Sequence, residues 1–246
     1  MSLLVSEIFY SLQGEGRFAG RPSVFLRLGG CNLSCSGFGV NKDGNIGCDS
    51  VFAADISYKN EWQSYLDPAT LIEDLKKTLP NDKKFDIVLT GGEPLIFYKN
   101  GVLLETIRYF QEQNTLITIE TNTTIEIDFE KYPEYKKCIF AMSVKLSNSG
   151  ENEKKRINKK AILAICKNSK DSFFKFVVDK KNIKELEGEI FEIIKGLEND
   201  IYCMPMGESQ KNLKLNDKAV FEFCIKNGFC YSDRVHIRVW GKKNKI

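Results

Sequence analysis

The stretch Val24-Phe25-Leu26-Arg27-Leu28-Gly29-Gly30-Cys31-Asn32-Leu33-Ser34-Cys35 sets the terms for the whole chain. An apolar run of strand length ends in two glycines and opens into a loop with two cysteines four positions apart. Similar apolar, β-branched or aromatic runs recur at Phe85–Leu89, Leu116–Glu120, Cys138–Val144, Phe173–Val178 and Ile201–Met204. Each reads as a short buried strand. Helical patterns fall between most of them, over Ala69–Leu79, Val102–Gln113, Lys154–Cys166, Ile183–Leu197 and Leu215–Asn227. Strand–helix alternation predicts an α/β architecture built on parallel strands. Periodicity fits either an open doubly wound sheet or a partial (β/α) barrel.

In parallel α/β folds, ligands gather at the C-terminal ends of the strands, so chemistry is sought just after each run. Cys31 and Cys35 follow the first run, and Cys48 comes later in the same long connection. Three thiolates can hold a [4Fe–4S] cluster and leave one iron open to another ligand. Zinc is the alternative; it usually takes four protein ligands, and no fourth is evident. The only histidine is His236, and the remaining cysteines read as small buried hydrophobes, except Cys230, which carries no signal of its own. Thr90-Gly91-Gly92-Glu93-Pro94 follows the second run; its glycines permit close backbone approach, and Glu93 offers a carboxylate to an ammonium group. Glu120-Thr121-Asn122 and Ser143-Val144-Lys145 put polar groups at the next two strand ends, although such residues also favour plain turns.

The 246 residues suffice for one well-buried core. With 36 basic and 33 acidic residues the net charge is +3, which gives no reason to expect nucleic acid; Lys180-Lys181 and Lys242-Lys243-Lys245 read as solvated surface. No apolar run reaches the roughly 20 residues of a membrane span. The start Met1-Ser-Leu-Leu-Val-Ser-Glu lacks the basic region of a signal peptide. A cytoplasmic address is the resulting expectation, and eight cysteines in such a chain point to metal or catalytic use for any clustered set.

Taken together, Cys31/Cys35/Cys48, Gly91–Pro94 and the polar strand ends resemble the radical S-adenosylmethionine (SAM) superfamily. Within it, Glu7–Gly16, Phe25–Cys35, Thr90–Pro94 and Ser143–Gly150 are similar to the 7-carboxy-7-deazaguanine synthase family, with Val235–Gly241 a weaker fifth stretch. Leu12-Gln13-Gly14-Glu15-Gly16 separates that family from other radical SAM enzymes, including activases that form glycyl radicals.

The resemblance implies a partial (β/α)6 barrel over residues 1–246. It carries an N-terminal substrate-binding extension (1–22) and an enlarged cluster loop (31–48). It implies a [4Fe–4S] cluster on Cys31, Cys35 and Cys48, with SAM against Gly47, Asp49, Gly92, Glu93, Glu120, Asn122, Ser143, Val144 and Lys145. Leu12, Gln13, Gly14, Glu15, Thr90 and His236 are expected around the substrate, with Arg27 on its carboxylate. Ser50 stands where the family carries a Mg²⁺-binding threonine. The implied reaction is radical-mediated ring contraction of 6-carboxy-5,6,7,8-tetrahydropterin to 7-carboxy-7-deazaguanine with loss of ammonia, in queuosine and deazapurine biosynthesis. An electron donor such as flavodoxin or ferredoxin, a homodimer, and no nucleic-acid or membrane partner complete the expectation. Twelve residues, Ser36–Gly47, separate the second and third cysteines where the superfamily usually has two. Closing that longer loop adds only about 1.5 kcal/mol of chain entropy.

Overall fold

The computed structural model describes residues 2–37, 39–40, 46–79 and 84–241. Most of the glycine-rich insert's tip, Gly44 included, and the lysines of the tail lie outside the described residues.

Eleven strands are present among the described residues: β1 (Leu3–Leu12), β2 (Pro22–Leu28), β3 (Gly39–Val40), β4 (Ile46–Gly47), β5 (Gln63–Tyr65), β6 (Asp86–Gly91), β7 (Ile117–Thr121), β8 (Ile139–Met142), β9 (Asp171–Val178), β10 (Ile201–Pro205) and β11 (Cys230–Tyr231). Helices α1 (Val51–Ala54), α2 (Pro68–Lys77), α3 (Gly101–Glu112), α4 (Glu153–Arg156), α5 (Lys159–Asn168), α6 (Ile183–Ile194), α7 (Gln210–Asn227) and α8 (Val235–Trp240) lie between or after them. Nine strands form one sheet in the order β11-β10-β9-β8-β7-β6-β2-β1-β5. The six strands expected from the sequence, β2 and β6 to β10, run parallel, and β11 extends the series. β1 and β5 add an antiparallel edge.

That edge departs from the expectation of a substrate-binding extension over residues 1–22, with the first strand at Val24. Leu3 and Val5 alternate with half-buried neighbours and bury beside Tyr65 of β5. This is the period-two pattern of a strand with two different faces. The single helix expected over Lys154–Cys166 is two, α4 and α5. Asn158 interrupts it and caps α5, accepting from the amides of Lys160 and Ala161.

The sheet is buried on both faces, as parallel sheets are. On one face Leu26, Leu89, Ile119, Phe140, Phe174 and Phe176 join Leu75, Leu103, Ile107, Ile165 and Leu186 from the helices in one core. On the other, Ile139, Ala141 and Phe173 form a small second cluster with Phe18, Leu116 and Tyr202. The segment after β1 explains why that second face is enclosed. β1 and β9–β11 stand near opposite ends of the strand order. Yet the Gly16 amide donates to Ser232 Oγ at 2.7 Å and the Val235 amide to the Gly14 carbonyl at 2.9 Å. Arg17 pairs with Asp171 and Asp200. The sheet therefore curls into a partial barrel, and residues 13–18 cross its gap.

Candidate active site

Above the apolar floor, alternate residues of successive strands put charge inside the barrel. Arg27 (β2), Thr90 (β6), Glu120 (β7) and Lys175 (β9) all face one cavity of about 520 Å³. Lys175 Nζ donates to Glu120 Oε1 at 2.8 Å and Glu15 Oε2 at 2.9 Å. Glu120 also accepts from Thr90 Oγ1 at 3.0 Å and Gln13 Nε2 at 3.3 Å. Burial works against charge on both Lys175 and Glu15. Their mutual attraction wins, with Glu120 raising Lys175, and with Arg234 helping to hold Glu15 well below the ordinary carboxylate range.

Arg27 is the cross-strand partner of Glu7 on β1. Its Nε donates to Glu7 Oε1 at 2.7 Å, and its guanidinium lies over the rings of Phe9 and Phe52. Among the described residues, the hydrogen bond from Arg27 to Glu7 is made by Nε, and Arg27 lines the cavity. His236 opens the first turn of α8; burial lowers its pKa, which favours the neutral imidazole.

The three cysteines line the same cavity. Amides of Leu33 and Ser50 lie 3.4 Å from the sulfurs of Cys31 and Cys48. Burial pushes the Cys31 thiol up to about 11; burial and the Asp49 carboxylate push Cys48 up to about 12. Iron reverses that balance, because a coordinating thiol is deprotonated. Among the described residues, no three His, Cys, Asp or Glu side chains gather as one metal ion would require. A cubane instead spreads its thiolates over three irons, so this all-sulfur set fits a cluster.

Neighbouring strand ends hold the cluster loop. Asn32 accepts from Asn122 Nδ2 at 2.9 Å and donates to Thr124 Oγ1 at 2.7 Å. The Ser36 amide donates to the Ser149 carbonyl at 2.9 Å. The insert closes at its neck, where β3 and β4 pair antiparallel. A Cβ on Gly37 (φ +46°) would stand 2.4 Å from the Gly47 carbonyl oxygen, so the neck requires glycine there.

All the expected site residues line the cavity except Gly47 and Glu93. Glu93, expected to face an ammonium group, is fully buried. It accepts from the amides of Leu95 and Asn122 at 2.9 and 2.6 Å and from Thr121 Oγ1 at 2.7 Å. It thus locks the Gly-Gly turn to the end of β7, next to Thr123. That β-branched residue is held at φ +64°, a rare conformation found where a site is over-determined. The glycines pack on the main chain as well: a Cβ on Gly92 would lie 2.3 Å from the Gly30 carbonyl oxygen.

Sequence reasoning missed Lys175, Glu7 as the partner of Arg27, and Arg234. A lysine inside Phe173-Phe174-Lys175-Phe176 was a usable signal, because a buried strand rarely carries an unpaired charge. Arg234 gave none.

Comparison with known proteins places the chain in a family. A family model described as a 4Fe-4S single cluster domain matches residues 12–166, which include all three cysteines. The 7-carboxy-7-deazaguanine synthase of Pyrobaculum aerophilum is 31% identical over 96% of this chain and 94% of its own. This chain belongs to the 7-carboxy-7-deazaguanine synthase family. The family member of Rhodopirellula baltica is likewise 31% identical, over 98% of this chain and 88% of its own. In fold, the chain resembles QueE from Escherichia coli with a TM-score of 0.67 and 21% identity, over 96% and 95% of the two chains. Streptococcus suis SuiB bound to S-adenosylmethionine gives a TM-score of 0.54 at 14% identity, over 83% of this chain and 48% of SuiB. As a member of the 7-carboxy-7-deazaguanine synthase family, the chain is a radical SAM enzyme whose cofactors are a [4Fe–4S] cluster and SAM.

Proposed function

We propose that this chain contracts 6-carboxy-5,6,7,8-tetrahydropterin to 7-carboxy-7-deazaguanine and ammonia. The observation that carries the reading is a charged inner layer beside three thiols in a chain of this family. When bound, the cluster and SAM supply a carbon-centred radical that can take a hydrogen atom from the substrate.

The protein's own groups do the rest. Cys31, Cys35 and Cys48 hold the cluster. Gly47, Asp49, Gly92, Glu93, Glu120, Asn122 and Ser143–Lys145 hold SAM, with Glu93 also bracing that wall through its own hydrogen bonds. The terminal nitrogens of Arg27 grip the substrate carboxylate, a planar acceptor matched to the guanidinium fork. Leu12, Gln13, Gly14 and Thr90 position the pterin, with Glu15, Glu120 and Lys175 satisfying its polar edge. A neutral His236 Nε2 is suited to receive or return a proton at that edge. Ser50 provides a hard oxygen for Mg²⁺ beside the substrate carboxylate. The substrate is a small molecule. A low-potential flavodoxin or ferredoxin as electron donor, a homodimeric state and a cytoplasmic setting belong to the same proposal. Among the described residues no helix is long and apolar enough to cross a membrane.

The test is an anaerobic assay of reconstituted protein with SAM, reductant, Mg²⁺ and 6-carboxytetrahydropterin, read by mass. 7-Carboxy-7-deazaguanine is the expected product. SAM cleavage without a deazapurine would keep the superfamily chemistry and overturn the substrate.

A further inference from the structure

Arg234 lies between β11 and α8, and is 5% exposed. Its guanidinium joins three pieces of chain that are far apart in sequence. Nε donates to Glu15 Oε1 at 2.8 Å, Nη2 to Asp49 Oδ2 at 2.7 Å, and Nη1 to the Gly207 carbonyl at 2.6 Å. Glu15 belongs to the Leu12–Gly16 segment, whereas Asp49 stands between Cys48 and Ser50.

We propose that Arg234 is a positioning residue that tethers the Cys48-Asp49-Ser50 corner of the cluster loop to the pterin pocket, so that filling the pocket steadies that corner. The proposal rests on the function given above.

Two observations carry it. The first is continuity. Thr90, Glu120, Lys175, Glu15, Arg234 and Asp49 form an unbroken series of hydrogen-bonded contacts, each between 2.7 and 3.0 Å. Both oxygens of Glu15 are engaged, one by Lys175 and one by Arg234. A ligand that shifts Glu15 must therefore move Arg234 with it or break a buried ion pair, which is strongly unfavourable. The second is the insert. With twelve residues between Cys35 and Cys48, the short covalent link that would otherwise place the third cysteine is gone. The β3–β4 neck closes the insert on itself, and Ser36 ties its first residue to Ser149. At its other end Arg234 links the residue next to Cys48 to Glu15 and so to the pterin pocket. Its planar fork sets the separation and direction of the two carboxylates together, which a lysine could not do.

The test compares wild type with Asp49→Ala and Arg234→Met, each reconstituted. Asp49→Ala, used in place of an asparagine that could still accept from Arg234, cuts the tether on the side away from the pterin. Hydrogen–deuterium exchange at the amides of residues 49–52 is followed with and without 6-carboxytetrahydropterin, SAM omitted. Pterin affinity and the ratio of 5′-deoxyadenosine to deazapurine are measured in parallel. In wild type, pterin should slow exchange at 49–52. Asp49→Ala should lose that protection while pterin affinity, measured without SAM, stays within about two-fold; in Arg234→Met, at a residue assigned to neither SAM nor pterin, the ratio should rise about ten-fold, the scale of a typical coupling between sites. Arg234→Met should lose the protection too. Equal protection in all three proteins, or none in wild type, would overturn the tether. A wild type that binds and turns over no pterin would instead sink the function on which it rests.

Discussion

His236 fills the space in which a side chain at position 14 would have to stand: a Cβ on Gly14 would lie 2.1 Å from Nδ1 of the imidazole. The segment that crosses the barrel gap and the helix that follows β11 are therefore in direct contact, and the contact needs glycine for room rather than for an unusual backbone angle. Gly14→Ala should push the imidazole aside without unfolding the barrel. Displacements of about 1 Å near reacting groups can cost roughly a hundred-fold in rate. We expect a kcat/KM loss of that order, with circular dichroism unchanged; near-normal turnover would count against a role for His236.

Glu7 aims Arg27. With Glu7→Gln, the guanidinium keeps its place on β2 but is no longer held by a charged partner. The expected outcome is a rise in KM for the pterin of about ten-fold with kcat little changed, because binding of the ground state and of the transition state weakens equally. Arg27→Ala should raise KM further and release 5′-deoxyadenosine without product. Unchanged KM in both variants would refute the assignment of Arg27 to the carboxylate.

Cys48 is the third thiol at the cavity wall. Cys48→Ala should hold less iron after reconstitution and cleave no SAM. A full brown chromophore with normal cleavage would show that another residue completes the ligand set.

Glu93 braces the site from behind. Its three donors would face an amide in Glu93→Gln, with at least one left unsatisfied. A loss of about 1–3 kcal/mol in denaturant unfolding is expected, along with poorer retention of SAM. Wild-type stability would mean that the turn holds without it.

Glu15 sets an acid limit on stability. Burial opposes its charge, yet Lys175 and Arg234 hold its pKa well below the ordinary 4.5. A depressed carboxyl contributes stability that is present above its unfolded value and lost as pH falls through its folded value. Cluster-free wild type should therefore weaken as pH drops below 4.5. Glu15→Gln should start from a lower plateau and fall less steeply over the same window; parallel unfolding curves would contradict this.

The sequence by itself determined the parallel strands, the cysteine-bearing loop after the first of them, and the polar residues at the following strand ends. These are local signals, carried by apolar runs and by residue types at strand termini. The resemblance carried by the sequence motifs also anticipated most of the residues that line the cavity. Only the tertiary structure decided what those residues do to one another. Glu93 braces the turn that carries it, because one of its oxygens meets the Asn122 amide at a strand end 29 residues away. Residues 3–12 became a strand, because β2 and β5 were there to pair with it. Lys175 and Arg234 became parts of the site only when the sheet curled and brought β9 and the β11–α8 connection against Glu15. Such contacts join positions up to 219 residues apart. The apolar run around Lys175 signals a buried partner without naming it, and the pattern around Arg234 signals none; the pairings arise from closure of the barrel gap.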